Sequence, residues 1–155
     1  MGRKIQIGVI GGRQVSSDLL NDAEEIGRLI AIRKAVLICG GLGGVMAAAC
    51  RGAMHVGGTT VGILPGSLSE DANPDVSIVI PTDMGVARNS IIIHSCDGVI
   101  AVGGKYGTLS EIAFALQKEI PVVSLKSWNV DENVIQANSP EEAVEKLFEK
   151  LGKKK

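Results

Sequence analysis

The sequence predicts a doubly wound α/β fold, a three-layer Rossmann-like arrangement in which helices cover both faces of a parallel sheet. Short runs rich in Val and Ile alternate with helical patterns along the whole chain, which is typical of this architecture. Most of these runs are nearly continuously apolar, as expected for parallel strands that are buried on both faces. No linker interrupts the alternation, and 155 residues suit one domain. We therefore expect residues 1–155 to form a single ligand-binding domain.

Six strands and five helices follow from these patterns. The predicted strands are Lys4–Ile10, Ala35–Cys39, Thr60–Leu64, Val76–Ile80, Gly98–Val102 and Pro121–Leu125. The first helix has apolar residues at helical spacing from Leu19 to Ile30, after an N-cap region at Ser16. The remaining predicted helices are Val45–His55, Gly85–Ser95, Leu109–Lys118 and Glu141–Leu151. Ser139-Pro140-Glu141-Glu142 predicts a capping box with proline at the first helical position.

Composition argues against several functional classes. The 16 basic and 17 acidic residues give a net charge of −1, which lacks the basic excess of a nucleic-acid-binding protein. Uncharged runs such as residues 35–50 are broken by glycine and too short to span a bilayer. Three cysteines in apolar surroundings indicate a reducing cytoplasm, and no His and Cys spacing matches a zinc site. We expect a cytoplasmic protein without a metal site, a nucleic-acid partner or a membrane span.

Glycines cluster directly after three of the predicted strands. The clusters are Gly11-Gly12, Gly40-Gly41-Leu42-Gly43-Gly44 and Gly103-Gly104. The carboxyl ends of parallel strands share one edge of the sheet, which is where open α/β sheets bind ligands. Glycine there admits backbone N–H groups close to an anion, and the following helix adds its positive N-terminal end. The alternative is that each glycine pair only makes a tight turn.

The common nucleotide-binding motifs are missing. Gly-x-Gly-x-x-Gly does not follow strand one, and no acidic residue ends strand two to bind a ribose. A Walker A motif is also absent, because Lys105 is followed by Tyr106. Classical NAD binding and P-loop hydrolysis are therefore disfavoured.

The segment from Gly103 to Glu111 runs from a strand end into a helix, where Gly104, Gly107 and the Thr108 hydroxyl are positioned to bind phosphate. Glu111 has two interpretations. Thr108-x-x-Glu111 matches a capping box, whereas a carboxylate beside a sugar would stabilise an oxocarbenium-like transition state or activate water. The residues alone leave both open.

Arg88 begins an otherwise apolar helix, although cations are disfavoured near a helix N-terminus. The position is explained if Arg88 faces a phosphate or a carboxylate on the ligand-binding edge. The alternative is a surface arginine paired with Asp83 or another acid. The adjacent Asn89 is a candidate donor to the ligand, or a turn residue.

These motifs together resemble the LOG (Lonely Guy) superfamily, long mislabelled as lysine decarboxylases, and the resemblance runs from strand one to strand six. It implies a Rossmann-like homodimer or larger oligomer, such as a tetramer, that needs no cofactor and hydrolyses the N-glycosidic bond of a nucleoside 5′-monophosphate. By that resemblance the 5′-phosphate is held by Gly104, Gly107 and Thr108. The ribose and base are lined by Gly41, Gly43, Gly44 and Met46, and catalysis is carried by Arg88 and Glu111.

Two departures distinguish this chain from the LOG enzymes. Where those enzymes read Pro-Gly-Gly-x-Gly-Thr-x-x-Glu, Val102 replaces the proline and Lys105-Tyr106 adds one residue. Asn89 stands where the enzymes place a lysine after the catalytic arginine. Both changes resemble the molybdenum cofactor carrier proteins of the same superfamily, which bind a pterin carrying a single phosphate and catalyse nothing. The sequence thus favours a ligand of the nucleoside 5′-monophosphate type and its hydrolysis. The alternative is a non-catalytic carrier of molybdenum cofactor or a nucleotide sensor.

Overall fold

A sheet of seven parallel strands forms the centre of the protein in the computed structural model, which describes residues 2–153. The strands are β1 (Gln6–Gly11), β2 (Val36–Cys39), β3 (Thr60–Leu64), β4 (Ile78–Pro81), β5 (Gly98–Val102), β6 (Val122–Leu125) and β7 (Val134–Ala137). They lie in the order β4-β3-β2-β1-β5-β6-β7. Because β1 lies between β2 and β5, the strand order reverses beside it, and this is the topological switch point of the sheet.

Five α-helices cover the two faces of the sheet. They are α1 (Ser17–Ile32), α2 (Val45–His55), α3 (Arg88–His94), α4 (Tyr106–Gln117) and α5 (Pro140–Gly152). One apolar core lies beneath α1, α2 and α5, and a second lies beneath α3 and α4. The three-layer Rossmann-like fold predicted from the sequence is confirmed.

Most element boundaries agree with the sequence predictions, and the exceptions have local causes. Strand β7 was not predicted, because it has only four residues, forms the sheet edge and exposes Gln136 between apolar neighbours. The predicted helix from Gly85 to Ser95 is split: residues 85–87 form a 3₁₀ turn and α3 begins at Arg88. Helix α4 begins at Tyr106, three residues before the predicted start at Leu109.

The predicted N-caps of α1 and α5 are present. The Ser16 hydroxyl accepts a hydrogen bond from the Leu19 amide at 3.4 Å. The Ser139 hydroxyl accepts one from the Glu142 amide at 3.1 Å, while the Glu142 carboxylate accepts the Asn138 amide at 3.0 Å. Each cap satisfies an N–H group that has no partner inside its helix.

Helices α1 and α2 pack with their backbones in close contact. A Cβ atom on Gly27 would lie 1.9 Å from the Ala49 carbonyl oxygen, and one on Gly52 would lie 1.8 Å from the Glu24 carbonyl oxygen. Neither oxygen belongs to a flexible side chain, so only glycine fits at these two positions. This contact holds α2, and with it the loop that precedes α2, against the sheet.

We expect Gly27→Ala to destabilise the protein, although alanine favours an isolated helix. Overpacking of this kind costs about 1–3 kcal/mol. Chemical denaturation measures the free energy of unfolding, with Gly152→Ala as the control because nothing lies within 4 Å of a Cβ at Gly152. Equal stability of the two variants would contradict the close packing of α1 and α2.

Candidate functional site

A cavity of about 850 Å³ opens at the carboxyl edge of the sheet, at the switch point beside β1. The loops after β1, β2 and β5 form most of its wall, together with the first turns of α2, α3 and α4. Its volume lies within the usual range of small-molecule sites. Eleven of the sequence-predicted site residues line it: Gly11, Gly12, Gly40, Gly43, Met46, Arg88, Asn89, Gly104, Gly107, Thr108 and Glu111.

The remaining three predicted residues, Gly41, Gly44 and Gly103, shape the loops behind the cavity wall. All three have positive φ, at 78°, 68° and 56°. At Gly44 a Cβ atom would also lie 2.4 Å from the Gly12 carbonyl oxygen. Their position in the structure is that of turn formers, which is the alternative that the sequence left open for each glycine pair.

The three helices whose first turns line the cavity have no side-chain cap hydrogen bond, whereas α1 and α5 begin with a serine cap. Their N-cap residues are Gly44 in α2, Ala87 in α3 and Lys105 in α4. In α4 the amides of Tyr106, Gly107 and Thr108 have no backbone acceptor among the described residues. Unpaired N–H groups at a helix N-terminus carry partial positive charge and bind anions.

The capping-box interpretation of Thr108 and Glu111 is wrong. Thr108 lies inside α4 at its third residue, and no side chain caps this helix. Its hydroxyl instead packs against the preceding loop, so closely that a Cβ on Gly104 would lie 2.1 Å from the Thr108 Oγ1 atom. Gly104, at φ 94°, is therefore required to be glycine for two independent reasons.

Glu111 lies one turn further along α4 and lines the cavity with only 8 % of its surface exposed. Its carboxyl group accepts no hydrogen bond from any residue between 2 and 153. Burial raises its pKa to about 8, and attraction to the Arg88 charge opposes this rise only in part. The neutral acid is therefore the main form at pH 7.

Arg88 is buried, and its guanidinium group is held in place by acceptors from three elements. Nε donates to the Ile63 carbonyl oxygen at 2.9 Å, Nη2 donates to that of Gly40 at 3.4 Å, and Nη1 donates to the Asn89 side chain. The alternative, a surface arginine paired with Asp83 or another acid, is wrong, because Arg88 is buried and is in none of the ion pairs of the described residues. Burial lowers the pKa of Arg88, and Glu111 opposes the decrease. These three bonds leave two of the five N–H donors of a guanidinium group for a ligand.

Asn89 links α3 to the start of α4. Its side-chain amide donates to the Ser110 hydroxyl at 3.3 Å, and that hydroxyl donates to the Gly107 carbonyl oxygen at 2.6 Å. This chain of hydrogen bonds connects Gly107 to α3. Asn89 is thus a structural neighbour of the α4 loop, which we define as residues 103–108.

Sequence reasoning missed several residues of the cavity wall. Two of them are exposed cations, Arg13 and Lys105, each of which directly follows a glycine pair. The apolar wall that was missed comes from Leu42, Pro65 and Val86. The position of Arg13 and Lys105 after the glycines was visible in the sequence, whereas the apolar residues are scattered and have no pattern of their own.

Two further expectations concern metal ions and membranes. Within residues 2–153 there is no cluster of three or more His, Cys, Asp or Glu side chains arranged to hold a metal ion. Over the same range no helix has the length and apolar character needed to cross a membrane.

Comparison with known proteins places the chain among homologues of similar length. The model of the SLOG cluster4 family matches residues 4–151. The molybdenum cofactor binding protein of Rippkaea orientalis superposes with a TM-score of 0.91 at 38 % identity, over 96 % of this chain and 98 % of that one. The Moco carrier protein of Chlamydomonas reinhardtii gives a TM-score of 0.89 at 34 % identity, over 99 % and 100 %.

A more distant sequence relative is an enzyme. The cytokinin riboside 5′-monophosphate phosphoribohydrolase of Mycobacterium tuberculosis is 34 % identical over 122 residues, which are 72 % of this chain and 65 % of that enzyme. The similarity to the LOG superfamily and to its molybdenum cofactor carrier branch, which the motifs indicated, is therefore confirmed.

The raised pKa of Glu111 predicts a pH dependence of stability. The folded protein keeps this carboxyl protonated up to about pH 8, whereas the unfolded chain ionises it near 4.5. Unfolding releases a proton between these values, so the stability contributed by Glu111 is complete below pH 4.5 and is lost as pH rises through 8. Urea denaturation at several pH values measures this effect. We expect Glu111→Gln to remove the decrease in the free energy of unfolding between pH 4.5 and 8. Glu145→Gln, an exposed control on α5, retains it; the same pH profile for both variants would contradict the assignment.

Proposed function

The chain belongs to the SLOG cluster4 family, whose model matches residues 4–151, and we propose that it is a carrier of molybdenum cofactor. It binds the phosphorylated pterin in the cavity at the switch point and catalyses no reaction on it. The observation that carries this proposal is the division of the cavity wall into an anion-binding side and an apolar side.

The anion-binding side is formed by the α4 loop. It offers unpaired amides at the start of α4, the Thr108 hydroxyl and the cation of Lys105. Arg13, in the loop after the neighbouring strand β1, adds a second exposed cation. Backbone amides and cations are the groups that bind a phosphate dianion most strongly in proteins.

The α4 loop follows β5, which lies on one side of β1, whereas β2 and β3 lie on the other side of β1. The apolar side of the cavity is formed on the side of β2 and β3. Leu42, Met46, Pro65 and Val86 form its surface. A flat heterocycle such as a pterin gains binding energy from burial against apolar groups. A ligand with a phosphate at one end and a ring system at the other therefore matches both sides of the cavity.

The full-length similarity to the two cofactor-binding structures favours the carrier over the hydrolase that the sequence favoured. Burial raises the pKa of Glu111 to about 8, and a bound phosphate dianion nearby would favour the neutral form further. A neutral carboxyl group cannot stabilise an oxocarbenium-like transition state as an anion, but it can donate a proton to a leaving group. The protonation of Glu111 is therefore compatible with both functions.

Hydrolysis of a nucleoside 5′-monophosphate is the second candidate function. Arg88 and Glu111 line the same cavity and attract each other, as the catalytic pair implied by the LOG resemblance must. The mycobacterial phosphoribohydrolase supports this candidate over its shorter match. Release of free base from AMP by the wild type, abolished in Glu111→Gln, would favour the hydrolase and overturn the carrier proposal.

We expect the wild-type protein to bind molybdenum cofactor released anaerobically from a molybdoenzyme, and to deliver it to a cofactor-free molybdoenzyme. Thr108→Val keeps the side-chain shape and removes one hydroxyl donor, so the cofactor dissociation constant rises about tenfold. Cofactor retained after gel filtration measures the binding. Thr59→Val, at the opposite edge of the sheet, is the matched control. Equal binding by the two variants would remove Thr108 from the phosphate site.

We also propose that the protein is a homo-oligomer assembled through the open side of β4. This edge strand exposes Ile78 and Ile80, and Met84 and Val86 in the following loop are exposed as well. A run of exposed apolar side chains along a sheet edge is typical of an interface between copies. Val86 also lines the cavity, so a second copy on this surface lies beside the ligand.

Light scattering coupled to size-exclusion chromatography tests the assembly. We expect the wild type to elute as a dimer or tetramer and Ile80→Asp to shift toward the monomer, because the charge would be buried in the interface. Val130→Asp places the same charge at an exposed apolar residue between β6 and β7 and leaves the mass unchanged. A monomeric wild type at micromolar concentration would contradict the proposal.

A further inference from the structure

The turn that follows β6 is hydrogen-bonded to the α4 loop through two side chains. The Ser127 hydroxyl donates to the Gly103 carbonyl oxygen at 2.5 Å. The Trp128 indole Nε1 donates to the Lys105 carbonyl oxygen at 3.0 Å, which also accepts the Leu109 amide. These two carbonyl groups lie on either side of Gly104, so the turn holds the loop at both ends of its tightest part.

A hydrogen bond that fixes the direction of a carbonyl group also fixes the direction of the N–H group of the following residue. The peptide unit is planar and trans, so the C=O of one residue and the N–H of the next point in opposite directions. With the carbonyl groups of Gly103 and Lys105 drawn toward the β6 turn, the N–H groups of Gly104 and Tyr106 point away from it. Neither amide has a backbone acceptor among the described residues.

The loop needs an external restraint because its own sequence supplies little. Gly103 and Gly104 both have positive φ, at 56° and 94°, and glycine is the residue with the widest choice of conformations. The β6 turn is itself well defined. Lys126 has a φ of 53°, and its Nζ atom lies 3.3 Å from an Asp22 carboxylate oxygen on α1.

We propose that Ser127 and Trp128 are positioning residues, which orient the Gly104 and Tyr106 amides toward the phosphate group of the ligand. They do not line the cavity, and they act through the carbonyl groups of the α4 loop. This inference rests on the proposed function to the extent that the bound ligand carries a phosphate. It does not depend on which phosphorylated molecule that is.

Calorimetric titration with inorganic phosphate tests the proposal on the complete protein. Ser127→Ala and Trp128→Phe each remove one of the two donors, and phenylalanine keeps an aromatic ring beside Tyr106, whose ring centroid lies 6.3 Å from that of Trp128. We expect each variant to weaken phosphate binding about fivefold, the effect of one lost hydrogen bond. Ser127→Thr keeps the hydroxyl group, so we expect this variant to bind phosphate as tightly as the wild type.

Ser95→Ala separates positioning from general stability. The Ser95 hydroxyl donates to the Ile91 carbonyl oxygen at 2.7 Å at the end of α3, so this control loses the same type of bond far from the α4 loop. We expect all three substitutions, each of which removes one hydrogen-bond donor, to lower thermal stability by a similar amount. Only Ser127→Ala and Trp128→Phe should also weaken phosphate binding. Unchanged phosphate affinity in these two variants would overturn the inference.

The outcomes also distinguish the inference from the proposed function. If the wild type binds phosphate and molybdenum cofactor while both variants bind as well as the wild type, positioning is wrong and the carrier proposal remains. If the wild type binds phosphate but no cofactor and the variants bind phosphate more weakly, positioning is supported and the cargo is a different phosphorylated molecule. A wild type that binds neither overturns both.

Discussion

The parallel pairing of β1 with both β2 and β5 is the constraint on which the site depends. It places the loops after these three strands at one edge, where the strand order reverses. Strands β1 and β5 approach so closely at this edge that a Cβ on Gly11 would lie 2.3 Å from the Val102 carbonyl oxygen. Only glycine therefore fits at the end of β1, and a residue without a side chain also leaves its backbone open to a ligand.

The polar groups at this edge are held by the backbone of neighbouring elements. Arg88 is anchored by carbonyl groups at the ends of β2 and β3. The α4 loop is hydrogen-bonded to α3 through Asn89 and Ser110, and to the turn after β6 through Ser127 and Trp128. A site preorganised in this way loses little conformational entropy when a ligand binds. The arrangement suits retention of a cargo as well as it suits catalysis.

Local sequence patterns predicted the architecture and the location of the site. The bounds of β3, β5 and α2 agree with the prediction to the residue, because continuous apolar runs and helical spacing are local properties. The glycines that follow three of the strands identified the carboxyl edge of the sheet as the site of the cavity, because a glycine cluster is also a local property of the sequence. Strand β7 was missed because its four residues have no pattern that a loop could not also have. The start of α4 was missed because no side-chain cap marks it.

By itself the sequence determined the fold class, the edge that carries the cavity and most of the residues that line it. Only the tertiary structure decided how these residues behave. It excluded a capping role for Thr108 and Glu111, tied Arg88 to backbone carbonyl groups and raised the pKa of Glu111. The reason is physical: periodicity and turn chemistry depend on neighbours along the chain, whereas burial and hydrogen-bond partners depend on residues that are distant in sequence. Ionisation follows burial, so it could not be derived from the order of residues alone.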